Sequence, residues 1–297
     1  MTVAHPIIQP FLDYLKFEKR FSRHTIISYQ TDLVAFFDYL IVQYGDITLQ
    51  EISHTFIRSW LASLKESGIT SKTINRKIST LRSFFKYQIK TNVLEQTPMV
   101  KIIAPKSEKR LPHFVSEKHM SVLFGHVEFD DDWKGKTNRL LMTLFYNTGM
   151  RLSEAVNLKE SQVSISTNTL KVLGKGNKER IIPVSAQLLK SIKEYLQEKK
   201  LIDQPSEFLL VTPKGKQMSL RNVYTIVNKY LSEVTPIEKR SPHVLRHTFA
   251  THLLNSGADL NAVKELLGHS SLAATQVYTH NTIEKLKNVH KKAHPKA

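Results

Sequence analysis

Three prolines close together divide this chain. From Pro98 to Pro112, through Pro105, Lys106, Ser107, Lys109 and Arg110, no apolar periodicity survives. Proline at that density forbids a continuous helix, because each ring removes an N–H and clashes with the preceding turn. The chain is therefore expected to fold as two domains, residues 1–100 and 113–297, joined by a linker over 101–112. A length of 297 residues suits that division.

The first part reads as helical. Ile26, Tyr29, Leu33, Phe36, Phe37 and Leu40 fall at helical spacing between Thr25 and Leu40. Ile57, Leu61 and Leu64 mark a second helix that Gly68 ends. Ser71 to Ile89 has an apolar stripe of Ile74, Ile78, Leu81 and Phe85, with Lys72, Arg76, Ser79, Ser83, Lys86 and Lys90 around the other side. That polar side holds no acid, whereas a solvated helix usually mixes signs. Lys72, Arg76 and Lys86, with Lys106 of the linker, are the expected phosphate contacts, since unpaired cations gain most beside a polyanion.

Net charge supports a polyanionic partner. Lys and Arg outnumber Asp and Glu by 43 to 26, giving +17 at neutral pH, and the excess is spread over both parts. DNA or RNA is the first candidate partner. There are no cysteines, so disulfides, thiolate nucleophiles and Cys-bound zinc are excluded. No carboxylate–histidine spacing suits a metal and no phosphate-binding GxxxxGK[ST] run occurs, so neither metal nor nucleotide cofactor is expected. The start of the chain lacks a signal-peptide pattern, and no apolar run approaches bilayer length. A cytoplasmic protein with no membrane partner is the expectation.

The second part mixes helices with one strand signal. Thr137–Thr148 is helical and Gly149 is a natural terminator. Leu152-Ser153-Glu154-Ala155-Val156 opens another helix, and the acidic run Asp130–Asp132 reads as a solvated loop. Leu170 and Val172 lead into Gly174-Lys175-Gly176-Asn177, and Ile181 and Ile182 lead out, a β-hairpin with Lys175 at its tip. Lys178 and Arg180 compete with Lys175 as the cation presented there. Further helices are expected over 185–200, 219–234, 242–256, 260–267 and 272–290.

Ser241-Pro242 is a helix-start signal, an N-cap hydroxyl followed by proline in the first turn. It places His243 and Arg246 near free N–H groups that favour an anion. Asp259 can cap a short helix that Gly268 ends, holding His269 just beyond it, and the next helix carries Tyr278. Arginines and histidines can hold a phosphate, and a tyrosine can attack one. The pattern points to phosphoryl transfer on nucleic acid.

In sequence order these motifs resemble the tyrosine recombinase (phage integrase) family. Thr148-Gly149-Met150-Arg151-Leu152-Ser153-Glu154 is similar to its first arginine motif. Leu173-Gly174-Lys175-Gly176-Asn177-Lys178-Glu179-Arg180 is similar to its hairpin lysine motif. His243-Val244-Leu245-Arg246-His247, Leu267-Gly268-His269 and Tyr278 follow in order. Length and ending look most like the Xer branch. The resemblance implies a mainly α fold with a small β-sheet in the catalytic domain. It implies a C-shaped clamp around DNA, made of a SAM-like helical core-binding domain and a catalytic domain. The catalytic set it implies is Arg151, Lys175, His243, Arg246, His269 and Tyr278, the last as the nucleophile of a 3′-phosphotyrosyl intermediate. It also implies a synaptic tetramer, with the apolar stripe Ile283, Leu286 and Val289 of the tail docking in a neighbour. A second Xer recombinase and a septal DNA translocase are the further partners it makes plausible. The activity expected is site-specific recombination resolving chromosome dimers at a terminus site. Integration of a mobile element, a type IB topoisomerase and a non-catalytic accessory protein are the competing readings.

Overall fold

The computed structural model describes residues 5–106, 113–174, 179–202 and 206–268. The chain divides into two compact units, Met1–Arg110 and Leu111–Ala297.

The first unit is helical: α1 (Gln9–Asp13), continued by a wider turn over Tyr14–Glu18, then α2 (Arg23–Tyr44), α3 (His54–Glu66) and α4 (Ser71–Lys90). Ser22 caps α2 and Thr70 caps α4, each side-chain oxygen accepting a first-turn N–H. Gly68 takes φ +77 just past the end of α3. Phe11, Leu33, Phe36, Trp60, Ile78, Leu81, Phe84 and Phe85 are almost fully buried together.

α2 carries a buried charge into this core. Asp32 has no exposure, and its carboxylate accepts from Lys77 Nζ at 3.0 Å, Thr80 Oγ1 at 2.9 Å and the Arg76 guanidinium, all on α4. Removing one partner of such a pair costs far more than the pair contributes. The acid missing from α4's own sequence is thus supplied by α2. α2 is long and apolar enough to cross a bilayer by length and composition, contrary to the expectation that no run is. One face of it, carrying Asp32, Leu33, Phe36, Phe37 and Leu40, is buried in the core of this unit.

The expected start of the linker belongs to this unit. Met99 and Ile102 are buried in its core. The carbonyls of Lys101, Ile102 and Pro105 accept from Arg58 at 3.0 Å, Arg82 at 2.9 Å and Asn75 at 2.9 Å. Aperiodic chain can still be fixed when side chains take its backbone groups.

The second unit contains α5 (Glu117–Gly125), α6 (Trp133–Thr148), α7 (Leu152–Val156), β1 (Val163–Ser164), β2 (Thr169–Leu173), β3 (Glu179–Pro183), α8 (Ala186–Lys199), α9 (Leu220–Val234), α10 (Pro242–Asn255) and α11 (Leu260–Leu267). The strands form one antiparallel sheet in the order β1-β2-β3, with Leu170 opposite Ile182 and Val172 opposite Arg180. β1 was not expected; two residues are too few to show a period. Leu170, Val172 and Ile182 pack into a core with Leu141, Leu144, Phe145, Val227 and Leu245. The acidic run is exposed as expected, but Asp132 also caps α6 by accepting the Gly135 N–H at 2.7 Å.

Gly149 ends α6 in the left-handed region, φ +57. A Cβ there would meet Phe249 Cδ1 at 2.4 Å and Leu267 Cδ2 at 2.9 Å. The backbone conformation and the packing of α10 and α11 against this turn therefore both require glycine. Gly149→Ala is expected to destabilise the second unit by about 3 kcal/mol, from left-handed strain and overpacking together. Urea unfolding checks this; a loss below about 1 kcal/mol would mean that the turn relaxes freely.

Candidate active site

Arg151 stands at the start of α7, immediately beyond the Gly149 turn. Its backbone N–H donates to Glu154 Oε2 at 2.7 Å and its Nη1 to Glu154 Oε1 at 2.8 Å. Its Nη2 reaches the Gly268 carbonyl at 3.0 Å. The side chain is one-third exposed, leaving part of the guanidinium open to a ligand.

α10 begins as Ser241-Pro242 predicts: Ser241 Oγ accepts the Val244 N–H, and proline fills the first turn. Arg246 is buried one turn in. Its Nη1 donates to Gly149 O and its Nη2 to Leu267 O, both at 2.6 Å. His243 is exposed on the first turn. Asp259 caps α11 by accepting the N–H groups of Asn261 and Ala262, and Gly268 closes it at φ +62. A small apolar cluster, Phe249, Leu253, Val263, Leu266 and Leu267, packs α11 onto α10.

The two arginines therefore meet at the C-terminal end of α11, and a third joins them. Arg180 donates through Nε to Leu266 O at 3.0 Å and through Nη1 and Nη2 to the two Glu154 oxygens at 2.7 Å each. Three successive carbonyls, at 266, 267 and 268, thus each take a guanidinium from a different segment. The negative end of a helix dipole favours cations there. Three guanidiniums face one carboxylate, an excess of positive charge that a phosphodiester complements.

The charges act on one another. Burial depresses Arg246, and the neighbouring Arg151 and Arg180 depress it further, to about 10, so it stays charged at neutral pH. Burial would raise the Glu154 carboxyl, but hydrogen bonds from Arg180 and Arg151, with the charge of Arg180, hold it at about 2. A carboxylate depressed by folding stabilises above its unfolded value and loses that contribution as pH falls. Stability of the second unit is expected to drop by about 3 kcal/mol as pH falls from about 4.5 towards 2. Glu154→Gln should flatten that limb of a thermal-unfolding pH series; an unchanged slope would assign the acid sensitivity to other groups.

Arg180 was expected as a rival of Lys175 at the hairpin tip, and this is corrected. It is 4 % exposed and committed to Glu154 and Leu266. Strand alternation carried the signal, since position 180 shares the inward face of Ile182. Glu154, which anchors the cluster, went unread as a site residue although it stands one helical turn from Arg151. Lys175, His269 and Tyr278, with the tail, lie outside the described residues. Of the expected phosphate contacts in the first unit, Lys72, Lys86 and Lys106 are exposed. Arg76 is not the unpaired cation expected: its side chain is 46 % exposed but bound to Asp32.

Known proteins share this organisation. Residues 113–285 match the family described as "Phage integrase family", and residues 8–92 match "Phage integrase, N-terminal SAM-like domain". The chain is 40 % identical to tyrosine recombinase XerC of Staphylococcus aureus (strain MSSA476) over 98 % of its length and 97 % of the relative's. It is equally similar to the XerC of Staphylococcus carnosus (strain TM300), over 98 % of both. Among solved structures it resembles the XerH site-specific recombinase bound to palindromic difH substrate in a post-cleavage complex. That match has a TM-score of 0.69 at 26 % identity and covers 89 % of this chain and 78 % of that one. A lambda integrase tetramer bound to a Holliday junction shares the fold, with a TM-score of 0.68 at 21 % identity, covering 93 % of this chain and 79 % of that one. With a helical first unit, a small-sheet second unit and near full-length similarity to XerC, the chain belongs to the phage integrase family, the tyrosine recombinases.

Proposed function

We propose that this tyrosine recombinase, an enzyme of site-specific DNA recombination, resolves chromosome dimers by cutting and rejoining strands through a 3′-phosphotyrosine. The observation carrying the reading is the convergence of Arg151 and Arg246 on the carbonyls of Gly268 and Leu267, the two residues before His269 in the sequence. In this reading Arg151 and Arg246 bind the nonbridging oxygens of the scissile phosphate and offset the charge that develops there. The Tyr278 phenolic oxygen attacks phosphorus, and the bond to the 5′-oxygen breaks. A phenol of ordinary pKa, about 10, needs help to ionise, and His243 accepts its proton. His269 adds a donor to the phosphate, and Lys175 protonates the leaving 5′-oxygen. One phosphodiester is exchanged for another ester of similar energy, so religation by the 5′-hydroxyl draws on no nucleotide or metal.

Lys72, Lys86 and Lys106 supply sequence-independent contacts to the backbone, with Arg76 held at the same helix surface by Asp32. The working form is a tetramer closed around two DNA sites on the nucleoid, and the tail carrying Ile283, Leu286 and Val289 docks in a neighbouring protomer. Similarity to XerC along almost the whole chain supports this role; a second recombinase of the same type and control by a septal translocase complete the proposal. The test is a plasmid bearing two directly repeated candidate sites from the host's replication-terminus region. With chelator present and no nucleotide, the expected product is two circles; relaxed plasmid without exchange would mean a topoisomerase. Exchange at the ends of a mobile element, and none at the terminus site, would assign the chain to that element.

A further inference from the structure

Arg180 lies outside the six residues used above, yet it ties together segments that carry them. It is the second residue of β3, opposite Val172, and all three of its guanidinium nitrogens are engaged within the protein. Nη1 and Nη2 grip both oxygens of Glu154 at 2.7 Å, and Nε holds Leu266 O at 3.0 Å. Glu154 in turn holds the Arg151 guanidinium at 2.8 Å and its backbone N–H at 2.7 Å. Arg151 closes the loop on Gly268 O at 3.0 Å. The circuit thus runs Arg180, Glu154, Arg151, Gly268 and back through the chain to Leu266. The fit is close, since a Cβ on Gly268 would lie 2.9 Å from Arg180 Cδ. Buried ion pairs are often no more stabilising than apolar packing, so stability alone gives little reason for this one. Fixing the plane of a reactive guanidinium is a reason, because small misplacements of a catalytic group cost large factors in rate.

We infer that Arg180 is a positioning residue for strand cleavage. Through Glu154 it sets the plane of the Arg151 guanidinium, and through Leu266 it fixes the carbonyls that lead to His269. The inference rests on the reading of Arg151 as a phosphate ligand. A side chain that acts through Arg151 should matter in proportion to the negative charge on the scissile phosphate.

The test compares wild type, Arg180→Met, Arg180→Lys and Arg151→Ala on nicked suicide duplexes. One duplex carries a normal scissile phosphate. The other carries a methylphosphonate, in which a methyl group replaces one nonbridging oxygen and removes the charge. Arg180→Met is expected to slow covalent-adduct formation about 100-fold on the phosphate and less than about 10-fold on the methylphosphonate, each against wild type on the same substrate. DNA affinity should stay within about threefold, since Arg180 makes no backbone contact. Arg180→Lys keeps a charge beside Glu154 and so keeps the fold, but it cannot reproduce the fork; about a 10-fold phosphate-specific loss is expected. Should Arg180→Met fail to fold, as melting and circular dichroism would show, the lysine variant alone decides. Wild-type rates in the folded variants, or equal losses on both substrates, would overturn the inference. If Arg151→Ala itself lost as much on the methylphosphonate as on the phosphate, the reading of Arg151 would fail instead. If Arg151→Ala is phosphate-specific and the Arg180 variants are not, only the role of Arg180 fails.

Discussion

Arg246→Ala is expected to lower the single-turnover rate of strand cleavage by about 10³-fold or more, while DNA affinity falls less than about tenfold. In the proposed mechanism the chemical part of the loss follows from removing a charge-assisted donor from a phosphate whose charge grows in the transition state. The structure adds a second cost. Arg246 is 5 % exposed and satisfies Gly149 O and Leu267 O, so alanine strands two buried acceptors and opens a cavity. A stability loss of about 3 kcal/mol is expected with it. Arg246→Lys separates the two effects. Lysine keeps the charge and part of the packing but loses the fork, so stability should largely recover while cleavage stays about 10²-fold down. The checks are adduct formation on a suicide substrate, a mobility-shift affinity and a urea melt on each variant. A folded Arg246→Lys protein that cleaves at the wild-type rate would remove Arg246 from the phosphate.

What the sequence revealed and what it hid divide along physical lines. Local punctuation was legible: Gly149 and Gly268 as left-handed helix ends, Ser241-Pro242 and Asp259 as helix starts, and the Leu170–Val184 hairpin. Each depends on a few neighbouring residues, so spacing alone reveals it. Partnerships across the chain were hidden. Nothing near Arg76 announces Asp32, because the acid lies on another helix. Nothing near Lys101 announces Arg58 or that the expected linker begins inside a core. Arg180 was misread for a related reason. In a basic chain the eye assigns an arginine beside a turn to solvent, while strand alternation turns it inward. Arg151 and Arg246 were legible only as residue types in order; that they rest on the neighbouring carbonyls of Gly268 and Leu267 at the end of α11 was not.

Tyr278→Phe is expected to abolish covalent attachment entirely, because phenylalanine has no oxygen to attack phosphorus. DNA binding should be unaffected, since the proposed backbone contacts are Lys72, Lys86 and Lys106. The measurement that bears most directly on the central claim is therefore covalent trapping on a nicked suicide duplex, with chelator and without nucleotide, wild type against Tyr278→Phe. A denaturation-resistant adduct on the 3′ side of the break, formed by wild type and absent from the variant that still binds, is the expected result. An adduct that persists in Tyr278→Phe, or one on the 5′ side, would contradict a Tyr278 3′-phosphotyrosine.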